Sequence, residues 1–201
     1  GEIPEITNMV PFEPFDFYIK RKLFIHNMGH AVCAYLGMYK GYKYICEAIS
    51  DPEIRVIVRE AMTESALALS ERYGKSAAEL ILHTDDLIRR FGNTALGDTC
   101  ERVGADIPRK LAKSDRLTGA SLSVIEAGGH PTYIAVGAAA ALYHYAPEKT
   151  DEAFRELTGV EGGEYYDTVM ALYELFKAGK TLPEVISKAD AMLKELVGTV
   201  I

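Results

Sequence analysis

At 201 residues, 48% of them hydrophobic and 25% charged, the chain is long enough to bury one sizeable core. A net charge of −7 excludes a nucleic-acid partner held by bulk charge, and no apolar run reaches the length of a membrane span. Cys33, Cys46 and Cys100 are too scattered for a disulfide framework or a zinc site, so reduced thiols in a cytoplasmic protein are expected.

Residues 1–14 carry Pro4, Pro11 and Pro14 before any helical pattern and read as the remnant of an interdomain linker. From Phe15 the pattern is helical almost throughout, so residues 15–201 are expected to form one all-α domain. A first long helix should run from Phe15 to Lys40 and stop at Gly41. A short helix near Tyr44–Ile49 follows. Ser50-Asp51-Pro52 starts the next long one, with Pro52 in its first turn, and Gly74 ends it. Ser76 caps a helix with Ala77, Leu80, Ile81, Leu87 and Ile88 on one side, which breaks at the Gly92–Gly97 loop.

Asp98 or Thr99 then opens a short helix, and Pro108 lies in the first turn of another. Ser114 or Asp115 is expected to cap a helix from Arg116 to Glu126. Gly128-Gly129-His130-Pro131 turns the chain into an Ala-rich buried helix, and Thr150–Leu157, Glu164–Lys177 and Pro183–Val197 supply three more. There is no sustained two-residue alternation and no hairpin turn, hence no expected strand. Nor does a Gly-x-Gly-x-x-Gly follow a strand pattern, so no dinucleotide site is visible.

Chemistry concentrates at residues 22–30, Lys-Leu-Phe-Ile-His-Asn-Met-Gly-His. On an ideal helix Lys22, His26, His30 and Asn27 fall at roughly 0°, 40°, 80° and 140°, within one arc. An ammonium, an amide and two imidazoles can take a proton from a hydroxyl and stabilise the oxygen left behind, without a metal or a nucleophile. Alone, each residue has a plainer reading: a solvated lysine, a locally bonded asparagine, a core histidine.

The spacing Lys22-x4-Asn27-x2-His30, entered through Tyr18-Ile19-Lys20-Arg21, resembles the C-terminal domain of the polyol-specific long-chain dehydrogenases. That family covers mannitol dehydrogenases, mannitol-1-phosphate 5-dehydrogenases and the tagaturonate and fructuronate (hexuronate) reductases. Arg90-Phe91-Gly92-Asn93, Asp98-Thr99, Arg102-Val103-Gly104, Lys110-Leu111 and Asp115-Arg116-Leu117 look like its second signature, most similar to the mannitol-1-phosphate branch.

The resemblance implies an NAD-dependent oxidoreductase with no metal. Its helical domain would carry Lys22 as general acid/base, Asn27 on the reacting oxygen and His30 on a neighbouring hydroxyl. His26 lies outside the motif and is read as packing beside it. The resemblance also implies that NAD is bound mainly by an N-terminal Rossmann domain absent from this chain.

Arg90, Asn93, Arg109 and Lys110 are candidate contacts for the polyol or sugar phosphate. Arginine forks suit neighbouring hydroxyls or a phosphate, yet arginines at helix ends are also commonly structural. Asp98 and Arg102 read as an ordinary (i, i+4) helix pair. The rival class is a non-catalytic helical module on the same scaffold.

Overall fold

A computed structural model describes residues 14–146 and 148–198, so the expected linker at 1–14 lies almost wholly outside the described residues. Twelve α-helices are present among them: α1 (Phe15–Lys20), α2 (Met28–Tyr39), α3 (Ile45–Ser50), α4 (Pro52–Tyr73), α5 (Ala77–Phe91), α6 (Cys100–Gly104), α7 (Ile107–Leu111), α8 (Thr118–Glu126), α9 (Thr132–Tyr145), α10 (Thr150–Thr158), α11 (Glu164–Lys177) and α12 (Leu182–Gly198). No strand occurs among the described residues. One isolated antiparallel bridge joins Tyr44 to Thr99, and none of the described helices is long and apolar enough to cross a membrane.

Local signals act where the sequence places them. Asp51 caps α4, its Oδ1 accepting from the N–H groups of Glu53 at 2.9 Å and Ile54 at 3.2 Å, and Gly74 closes the helix in the left-handed conformation (φ +60°). Ser76 caps α5 through the Glu79 N–H. The stripe on α5 differs slightly: Leu80, Thr84, Leu87, Ile88 and Phe91 are its buried residues, while Ile81 is only half-buried. The expected helix from Arg116 begins at Thr118 instead. The Asp115 side chain accepts from the N–H and Nε of its neighbour Arg116 rather than capping α8, and residues 114–117 form a turn.

The core is a layered helical assembly around α2, α4 and α9. Residues 31–37 of α2 are all buried, so this helix is apolar on every side, and α9 is buried from Thr132 to Leu142. Small residues let the two cross closely. A Cβ on Gly137 of α9 would stand 2.3 Å from the Val32 side chain, and one on Gly29 would stand 2.4 Å from Met62 Sδ of α4. The start of α9 is tied to α4 as well: both Glu64 carboxylate oxygens accept backbone N–H groups, from Tyr133 at 2.7 Å and Ile134 at 3.0 Å. That carboxylate fills the role of an absent local cap.

The expected single first helix is a single rod with an interruption. Between α1 and α2, residues Arg21–Asn27 form a π-helical segment. It contains neither proline nor glycine. It buries Phe24 and Ile25, and Met28 follows directly.

Candidate active site

The π segment carries the motif. Bonds from residue i to i+5 make a wider turn than the α-helical i to i+4. Lys22 and Asn27 are five apart, so the π turn brings their azimuths closer than the 140° of an α-helix. Lys22 is exposed and has no ion-pair partner among the described residues; the half-buried Asn27 amide has no hydrogen-bond partner there either. Both polar groups are free to meet something from outside. The apolar side chains around them are covered, Phe24 being 4% exposed and Met28 fully buried. Exposed apolar residues lie instead at Phe15, Ile19, Leu82 and Leu96.

His30 is held from two sides. Its ring stacks on Phe91 of α5, with centroids 4.7 Å apart and planes 14° from parallel. Its Nε2 lies 3.7 Å from Asp98 Oδ2, beyond hydrogen-bond range. Asp98 is itself engaged by Arg102, the helix pair the sequence suggested. Its segment is fixed by the Tyr44–Thr99 bridge, in which Ile45 N–H donates to the Asp98 carbonyl and Cys100 N–H to the Lys43 carbonyl, both at 2.9 Å. Burial, then the neighbouring His26, Arg102 and Arg116, push His30 down to about 4. The imidazole is therefore neutral near pH 7, able both to donate and to accept a hydrogen bond. Burial also lowers His26 and His83, helped at His26 by Arg90, His83 and Lys22 and at His83 by Arg21 and Arg90.

A cavity of about 140 Å³ opens beside these rings, lined by His26, His30, Cys46, Arg90, Phe91, Asn93, Leu96 and Asp98, with Ile45. Of the expected substrate contacts, Arg90 and Asn93 thus come together with His30. Arg90 is exposed, with Asp86 4.0 Å away; Asn93 Oδ1 caps the turn at Thr94–Leu96 through the Ala95 N–H at 3.0 Å. Arg109 and Lys110 do not line this cavity. Arg109 is exposed and engages Asp106 at 2.5 Å and Asp115 at 3.6 Å. Lys110 is 4% exposed.

Sequence reasoning set His26 aside, yet its ring sits 5.7 Å from that of Phe91 and its side chain lines the cavity. Its position four residues before His30, one helical turn, was the available signal. Cys46 had no such signal, since its helix reaches the site through tertiary packing of α3 on α2, α4 and α5.

A larger cavity of about 600 Å³ lies elsewhere, between Glu64, His130 and Tyr133, and no motif residue lines it. Among the described residues no group of three or more His, Cys, Asp or Glu side chains is placed to hold a metal ion.

The family model for the mannitol dehydrogenase C-terminal domain matches residues 15–197, nearly the whole chain. The chain belongs to this family. Among its relatives, mannitol-1-phosphate 5-dehydrogenase of Buchnera aphidicola subsp. Acyrthosiphon pisum (strain Tuc7) is 41% identical over 145 residues, covering 72% of this chain and 38% of that protein. The enzyme of the same name from Exiguobacterium sp. is 34% identical over 195 residues, covering 97% of this chain and 50% of the relative. The chain thus spans about half or less of these relatives' length. The domain also superimposes on Pseudomonas fluorescens mannitol 2-dehydrogenase, solved as a ternary complex with NAD and D-mannitol, at a TM-score of 0.66 and 18% identity. That match covers 93% of this chain and 42% of the solved one. A substrate-free D-sorbitol dehydrogenase gives a TM-score of 0.61 at 17% identity, over 90% and 41% of the two chains. At such identities the structures share the all-α fold.

Proposed function

We propose that this domain is the substrate-binding and catalytic half of an NAD-dependent mannitol-1-phosphate 5-dehydrogenase, interconverting mannitol 1-phosphate and fructose 6-phosphate. One observation carries the reading: Lys22, Asn27 and a neutral His30 project from one rod whose π turn draws the first two together. The names of the relatives at 34–41% identity support the phosphorylated substrate.

In polyol oxidation the Lys22 amine takes the hydroxyl proton, and in ketose reduction its ammonium returns one to the carbonyl oxygen. The Asn27 amide N–H donates to that same oxygen as charge builds on it. His30, held flat on Phe91, hydrogen-bonds the adjacent hydroxyl and fixes which carbon reacts. Arg90 and Asn93 contact further substrate oxygens at the cavity mouth. We read Arg109 as ordering its own loop through Asp106 and Asp115, and Lys110 as facing the substrate's charged end.

NAD, when bound, takes or supplies the hydride. The described residues present no strand and Gly-rich turn to cradle a dinucleotide, so its site is assigned to an N-terminal Rossmann half outside this chain. A cavity of about 140 Å³ falls below the roughly 300 Å³ of a complete small-molecule pocket, as expected of a site that a second domain finishes.

The test is steady-state assay of the full-length protein with NADH and either fructose 6-phosphate, fructose or a hexuronate. Preference for fructose 6-phosphate supports the reading. Preference for fructose favours a mannitol 2-dehydrogenase and preference for a hexuronate favours a reductase; turnover of none leaves a non-catalytic module.

A further inference from the structure

The chain between α7 and α8 folds back beside the motif. Leu117 N–H donates to the Lys110 carbonyl at 3.3 Å and the Thr118 hydroxyl to the Leu111 carbonyl at 2.6 Å, so Lys110 and Arg116 belong to one tight turn. This turn packs on the π segment: a Cβ on Gly119 would stand 3.1 Å from the Phe24 ring and 3.0 Å from the Ser114 backbone. It therefore sits against the rod that holds Lys22 and His30. The Arg116 guanidinium is close enough to His30 to disfavour its protonation.

Charge in this turn does not balance. Residues 106–116 hold four cations, Arg109, Lys110, Lys113 and Arg116, and two carboxylates, Asp106 and Asp115. Arg109 engages both, and Arg116 Nε donates to Asp115 Oδ1 at 2.8 Å. Neither carboxylate forms an ion pair with Lys110, whose side chain has no hydrogen bond among the described residues although the residue is only 4% exposed. Both Nη groups of Arg116 are likewise without a protein partner there, while Asp115 holds its guanidinium in place. Burial and the neighbouring Arg116 and Arg109 disfavour the charged form of Lys110 more than Asp106 and Asp115 favour it, and an anion that binds beside the ammonium offsets that imbalance. A guanidinium pinned at Nε and open at both Nη atoms offers a fork that matches two phosphate oxygens.

We propose that Lys110 and Arg116 form the receptor for the phosphate of the substrate, and that they set the preference for a phosphorylated over a free sugar. The proposal rests on the reading of Lys22, Asn27 and His30 as the reacting end. It adds Arg116, and it makes Lys110 a cation that neither Asp106 nor Asp115 pairs directly. The negative net charge of the chain sharpens the selection, because an anion is drawn only to a local surplus of cations.

The experiment uses the full-length enzyme with fructose 6-phosphate and fructose as paired substrates, comparing wild type with Arg116→Lys and Lys110→Met. The ratio of kcat/KM values, phosphorylated over free, should fall at least about 100-fold in each variant, mainly through KM for the phosphorylated sugar. Inorganic phosphate should compete with fructose 6-phosphate in the wild type and lose affinity in both variants. Equal losses on the two sugars, leaving the ratio intact, would overturn the proposal, as would unaltered inhibition by phosphate. If Lys110→Met does not fold, Arg116→Lys decides alone, since it keeps the charge but loses the fork. If the wild type reduces neither sugar, the functional reading fails by itself. Calorimetric titration of inorganic phosphate then still judges the receptor, equal affinities for wild type and Arg116→Lys counting against it.

Discussion

Lys22 is exposed, unpaired among the described residues, and five positions from Asn27 on a π turn. In the full-length enzyme, Lys22→Ala should lower kcat by about 10²–10⁴-fold, the usual worth of general acid–base assistance. The affinity for NADH, measured by fluorescence titration, should stay within a few-fold, because the nucleotide is assigned to the other half. Wild-type kcat in a correctly folded Lys22→Ala would remove the lysine from the mechanism.

His30 gives a prediction in pH. Its folded value of about 4 lies below the ordinary 6.5, so between those limits the unfolded state binds the extra proton and stability falls with acidity. Above pH 6.5 the histidine contributes no pH dependence; the loss develops from there down to about 4, and is at most about 3 kcal/mol. Urea unfolding at pH 7 and pH 4.5 should show a smaller difference for His30→Gln than for the wild type. An identical difference would mean that His30 is not buried as described.

At the scale of elements, capping signals and glycine stops were legible because they act within a few residues. Asp51, Gly74 and Ser76 do what their types do anywhere. The π segment was not legible, since residues 21–27 hold no helix breaker and the extra residue is absorbed through the burial of Phe24, Ile25 and Met28. Deleting one residue from 21–27 should restore an uninterrupted α-helix and leave α2 buried. A deletion between Lys22 and Asn27 would change their spacing from five residues to four, and that of Lys22 to His30 from eight to seven. Circular dichroism should then change little while turnover by the full-length enzyme is lost; retained turnover would show that the π turn is not needed.

Helix crossings permit a ranking. An alanine at Gly137 meets the stiff β-branched Val32, whereas one at Gly29 meets the flexible end of Met62. Gly137→Ala should cost about 1–3 kcal/mol by overpacking, and Gly29→Ala less, since the gain in helix propensity offsets part of it. Chemical denaturation of the two variants tests the order.

For the whole molecule, the all-α class and the family were legible because helical periodicity and the Lys22, Asn27 and His30 spacing are written along the chain. Placement of Arg90 and Asn93 against His30 was not, because it depends on α5 packing against α4 and the π segment, and that of Asp98 depends on Tyr44 pairing with Thr99 across a long stretch of sequence. This chain alone should show no NADH-dependent reduction of fructose 6-phosphate, and adding the nucleotide-binding half should be needed for turnover. Turnover by the chain alone, in the same spectrophotometric assay, would refute the division of labour.

The attachment of α9 to α4 and α2 has a consequence in time. Glu64 receives N–H groups 69 and 70 residues downstream, and the Tyr35 carbonyl receives His144 from 109 residues away. A ribosome therefore releases the helices bearing the motif well before the partner that covers them exists. Until Tyr145 emerges, α2 must present Val32 and its buried neighbours to solvent. Nascent chains arrested before Thr132 should be sensitive to protease and captured by chaperones, and those arrested beyond Lys177 should resist both.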